Sequence, residues 1–70
     1  MAQDFRKETY ARYERLRKEK GVTDYEVSQK TGISTATLSS WKNGIYTPKI
    51  EKFRLLAKYF DIPVTYFIEE

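Results

Sequence analysis

The 70-residue chain contains no cysteine and no histidine. Without thiols there is neither a disulfide framework nor a thiolate metal site. Without imidazole the nucleophile–histidine pairings of hydrolytic enzymes are excluded, and a metal would have to be held by carboxylates alone. No apolar run approaches the roughly 20 residues that cross a bilayer, and the opening Met1-Ala2-Gln3-Asp4 lacks the charged-then-apolar build of a secretory signal. These absences argue against an enzyme, a cofactor, a metal and a membrane partner, and lead to the expectation of a soluble, cytoplasmic protein. The length fits a single domain spanning residues 1–70, near the size at which one core is marginal.

A further absence is local. Residues 27–50 contain no Asp or Glu, although Lys30, Lys42 and Lys49 fall among them. The net charge of +3 is too small to point to a partner by itself. A contiguous neutral-to-basic stretch suits a surface facing phosphates, the alternative being a chance gap in a chain that is one-third charged.

The pattern of apolar residues predicts five short helices. Over about residues 4–20, Phe5, Thr9, Tyr13 and Leu16 share one stripe, with Tyr10 at its edge, Asp4 as a cap and Gly21 as the exit. Arg15, Arg17, Lys18 and Lys20 crowd its last turns, where they complement the helix dipole or meet phosphate. A second helix starts at Thr23 or Asp24, with Glu26 at the capping-box spacing; Val27 and Thr31 turn inward, Gly32 stops the helix and Ile33 anchors the turn. Ser34 or Thr35 caps a third helix running through Asn43, with Gly44 as its exit. Two helices of about eight residues joined through a glycine give a helix-turn-helix over about residues 23–43. Thr47-Pro48 opens a fourth helix, with the proline in the first turn, and Ile50, Phe53, Leu56, Ala57 and Phe60 form its stripe. Asp61 and Pro63 end it, and Pro63 starts a last helix with Val64, Phe67 and Ile68 inward. The expected core is Leu16, Val27, Ile33, Leu38, Trp41, Phe53, Leu56 and Phe67.

On the third helix Leu38 and Trp41 point the same way and define the core side. The opposite side carries Ala36, Ser39, Ser40 and Asn43, flanked by Thr35 and Thr37. An ordinary exposed face favours Glu and Lys, and Ser and Thr are mediocre helix formers. Small hydroxyl and methyl groups can instead lie deep in a major groove and reach base edges.

Taken together, these residues resemble the Cro/C1-type (XRE-like) helix-turn-helix domains of phage repressors and bacterial regulators. Tyr13, Leu16 and Arg17 resemble the end of that family's first helix, and Lys20-Gly21-Val22-Thr23 its approach to the second. Val27, Gly32, Ile33, Leu38 and Trp41 match the motif positions, Asn43-Gly44 and Pro48 the exit loop, and Leu56-Ala57 through Phe67 the closing helices. The resemblance covers about residues 13–68. It implies an all-α, compact five-helix bundle of the lambda-repressor type, and a regulator whose third helix reads double-stranded DNA, commonly as a homodimer on a two-fold operator. Carried over by position, the base readers are Thr35, Ala36, Thr37, Ser39 and Ser40. The phosphate contacts are Lys42, Asn43, the backbone N–H of Tyr46 and the second-helix N-terminus at Thr23, with Lys49 and Lys30 as further candidates. Tyr46 serves DNA or packs over the fourth helix.

Three departures from the family pattern stand out. Asp24 occupies the position of a phosphate-contacting glutamine and is better read as a helix cap. Lys42 replaces a glutamate that pairs with the arginine matching Arg17, which leaves two positive charges for phosphate to relieve. Lys49 takes the cap position of the fourth helix, with Thr47 as the substitute. A chain ending at Glu70 is expected to carry no effector domain, so repression by operator occupancy is the simplest mechanism. The rival reading is a protein-interaction module of the same fold, such as an antitoxin, although such faces favour Tyr, Trp, Phe and Met.

Overall fold

The computed structural model describes residues 5–68, with side chains from residue 8 onward, so the expected Asp4 cap and the inward side chain expected of Phe5 lie outside what is described. Five helices follow one another: α1 (Phe5–Lys20), α2 (Asp24–Thr31), α3 (Thr35–Lys42), α4 (Ile50–Phe60) and α5 (Thr65–Ile68). Among the described residues there is no strand.

Local chemistry sets the boundaries that place α2 and α3. Thr23 caps α2 by accepting from the Glu26 N–H at 3.1 Å, while the Glu26 side chain accepts from the Thr23 N–H at 2.9 Å, a complete capping box. Gly32 ends α2 at φ 83°, a left-handed conformation that a Cβ would strain. Thr31 then helps the turn: its hydroxyl donates to the Val27 carbonyl and accepts from the Ile33 N–H. Ser34 caps α3 through the Thr37 N–H at 3.0 Å. Asn43 is the C-cap of α3 rather than its last residue.

The start of α4 differs from expectation. Pro48 is buried and lies outside the helix, and Lys49 is the N-cap, with no side-chain cap bond from it or from Thr47. The proline therefore seats the exit loop against the bundle instead of opening the helix. Ile50, at the first helical position, is 42% exposed and leaves the stripe to Phe53, Leu56 and Ala57, with Phe60 partly buried. Pro63 likewise precedes α5, accepting from the Tyr66 N–H at 3.0 Å, and Ile68 turns outward while Phe67 is fully buried.

The core forms around Trp41. Its ring lies 5.4 Å from that of Tyr10, 5.1 Å from Tyr13 and 5.8 Å from Phe53, and Phe53 stacks on Phe67 at 5.2 Å. The indole N–H is satisfied inside, donating to the buried Thr9 hydroxyl at 3.0 Å. Val27, Ile33, Leu38 and Leu56 complete the interior, whereas Leu16 packs against it only partly buried. Arg12 ties α1 to α5, its guanidinium donating to the carbonyls of Tyr66 and Phe67 at 3.3 and 3.1 Å.

Candidate nucleic-acid interface

Two fully buried side chains on one side of α3, Leu38 and Trp41, fix which side is left over. Thr35, Ala36, Ser39, Lys42 and Asn43 are exposed, and Ser40 is half-buried. Thr37 is also half-buried and accepts the Ser34 hydroxyl at 2.9 Å, so part of its hydrogen-bonding capacity is spent on the cap. The outward face is therefore short, uncharged until Lys42, and supplied with hydroxyl and methyl groups, the chemistry that reaches base edges.

Around this face the expected phosphate contacts are unequal. Lys42 and Asn43 are exposed at the end of α3. The exit loop is held by the Ile45 N–H donating to Ser40 at 2.9 Å, while the Tyr46 N–H has no hydrogen-bond partner among the described residues. The Tyr46 side chain packs against the core rather than standing free, which leaves its backbone as the group offered to a ligand. Lys30 and Lys49 are exposed. At Thr23 both the hydroxyl and the N–H are committed to the capping box, so only the Asp24 and Tyr25 N–H groups of that turn lack a partner among the described residues.

Two charge expectations change. Asp24 does not cap α2. Its carboxylate accepts the buried Tyr13 hydroxyl at 2.6 Å and lies 3.3 Å from Arg17 Nε. Arg17 thus finds its countercharge in Asp24, with Glu14 at 3.9 Å, and needs no phosphate to relieve it. Burial, and then the bond to Asp24, push the Tyr13 hydroxyl well above its ordinary pKa. Tyr10 is raised as well, chiefly by burial. The apolar pattern carries no sign of this cluster, because Tyr13 and Asp24 sit on different helices, outside any shared periodicity. It also gives no sign of Tyr25, exposed at 65% in the first turn of α2, or of Ile45, exposed at 74% beside α3.

No group of acidic side chains able to hold a metal occurs among the described residues, and no described helix is long and apolar enough to cross a membrane. Neither a curated protein nor a solved structure matches the chain. A family model described as helix-turn-helix matches residues 14–67, which takes in α2, the turn, α3 and the closing helices. The chain belongs to the Cro/C1-type helix-turn-helix family of DNA-binding regulators.

Proposed function

We propose that the protein is a sequence-specific regulator that represses by occupying its operator as a homodimer, α3 lying in the major groove of double-stranded DNA. The observation that carries this reading is the uncharged polar face of α3, held outward by the burial of Leu38 and Trp41. Thr35, Ala36, Ser39 and Ser40 read base edges, with Thr37 contributing its methyl group. Lys42, Asn43 and the Tyr46 N–H hold phosphates beside them, with Lys30, Lys49 and the free N–H groups next to Thr23 as outer contacts. One recognition helix covers too few base pairs to select a genomic site, which is the argument for two copies. The bundle measures 35 × 24 × 22 Å, so two copies side by side can place their α3 helices one DNA turn, about 34–36 Å, apart.

The exposed Tyr25 and Ile45 favour a second reading, in which the same fold binds a protein. An electrophoretic shift against random genomic fragments separates the two, since a purely protein-binding module retards none of them. Variants then test the roles. Lys42→Ala weakens binding to the selected fragment and to a scrambled duplex alike and flattens the log–log salt dependence by roughly 0.9, the value of one phosphate. At least one of Ser39→Ala and Ser40→Ala keeps the slope and loses on the order of 1 kcal/mol of preference for the selected fragment. Serine variants with full preference, beside a Lys42→Ala variant that has lost it, refute the assignment of α3.

A further inference from the structure

The first turn of α2 carries charges that the recognition surface does not use. Asp24 and Glu26 place two carboxylates where a helix N-terminus would otherwise favour an anion, and the capping box takes up the Thr23 and Glu26 N–H groups. Asp24 is held against α1 by the Tyr13 hydroxyl and in turn holds Arg17. Arg17 Nε is buried and within ion-pair distance of Asp24 but makes no hydrogen bond, so charge rather than directed bonding fixes it there. The same guanidinium donates from Nη1 to the Val22 carbonyl at 3.2 Å, which pins it to the link between α1 and α2. The side chains of Arg17 and Asp24 are 21% and 40% exposed, so the pair sits at the surface.

We propose that Asp24 sequesters Arg17 from DNA and thereby sets the sequence-independent affinity low. The first helix of a helix-turn-helix crosses the phosphate backbone. A cation at its start would neutralise a phosphate on any sequence, whereas a cation already matched by a carboxylate releases no counterion. Asp24 therefore lowers affinity for every duplex alike and leaves the preference set by the base-edge contacts of α3 unchanged. The inference rests on the docking geometry proposed above.

Asp24→Asn removes the charge and keeps an oxygen to accept from Tyr13. Wild type, Asp24→Asn, Arg17→Gln and the double variant are titrated across a salt series with the selected genomic fragment and with a scrambled duplex, thermal melts confirming that each is folded. Asp24→Asn is expected to bind both duplexes more tightly, with a log–log slope steeper by up to roughly 0.9, a ceiling because Glu14 still faces Arg17. Arg17→Gln alone is expected to change the slope by much less than roughly 0.9, because Arg17 is already matched in the wild type, while in the Asp24→Asn background it brings the slope back toward wild type. A folded Asp24→Asn protein whose slope is unchanged or shallower overturns the sequestration while leaving the functional reading intact. If Asp24→Asn does not fold, a slope shallower by roughly 0.9 in Arg17→Gln, the value of a phosphate contact already made in the wild type, overturns it equally. Wild-type protein that binds no duplex removes both readings.

Discussion

Replacing Trp41 with alanine is the most severe single test of the bundle. The side chain is 1% exposed, meets three other aromatic rings and gives its N–H to Thr9. Truncating a buried tryptophan costs about 3–5 kcal/mol through lost transfer energy and the cavity left behind. A domain of 70 residues, at about 0.05–0.15 kcal/mol per residue, has roughly 4–10 kcal/mol in total. The substitution therefore removes about three-tenths of the stability at the least, and from three-quarters to all of it if the total is about 4 kcal/mol. Trp41 is the chain's only tryptophan, so its fluorescence disappears with it and urea unfolding has to be followed by far-ultraviolet circular dichroism. With a urea slope near 1 kcal/mol/M for so small a domain, the midpoint falls by roughly 3 M or more. Trp41→Phe, which keeps a ring and loses the donor, falls by less, in keeping with about 1 kcal/mol for one hydrogen bond plus some lost packing. A Trp41→Ala protein with a wild-type midpoint and full DNA binding refutes the core assignment, and with it the direction in which α3 faces.

Thr23→Ala breaks the capping box and lowers stability by about 1 kcal/mol, read as a smaller shift of the same urea midpoint. The pKa of Tyr13 is raised in the folded protein, so its contribution to stability is complete below the ordinary value of 10.0 and is lost as the pH climbs from there toward the folded value. Tyr13→Phe accordingly flattens part of the alkaline fall in the midpoint, measured from about pH 8 to about pH 11. Quantitative titration of a specific site is expected to saturate at two chains per duplex, and saturation at one refutes the homodimer.

The elements legible in the sequence were those with local causes. Thr23 and Glu26 stand three apart and cap one another, Gly32 and Ser34 bracket the turn, and Leu38 and Trp41 share a helical side. Each of these relations spans a single turn of backbone and is visible in spacing alone. The misreadings depended on distant partners. Pro48 looked like the start of a helix because proline tolerates that position, but packing in the finished bundle draws it inward. Ile50 and Ile68 fit the periodicity of their helices yet fall at helix ends, where the neighbouring element does not reach them. Asp24 is of a residue type that caps helices, but its actual partners lie on α1, brought close only by the fold. At the recognition face the sequence indicated which side of α3 is outward. The division of labour among its hydroxyls came only with the structure, which shows Thr37 tied to Ser34.

The bond from Arg12 to the carbonyls of Tyr66 and Phe67 joins residues 54 and 55 positions apart. During synthesis the helix-turn-helix leaves the ribosome well before α5 does, yet Phe53 has no Phe67 to stack on and Arg12 no carbonyls to hold until α5 follows. In a domain this small, where unfolding is all-or-none, the orientation of α3 depends on that late closure. A protease that trimmed the chain within α5 would therefore abolish DNA recognition without removing any residue proposed to face the duplex.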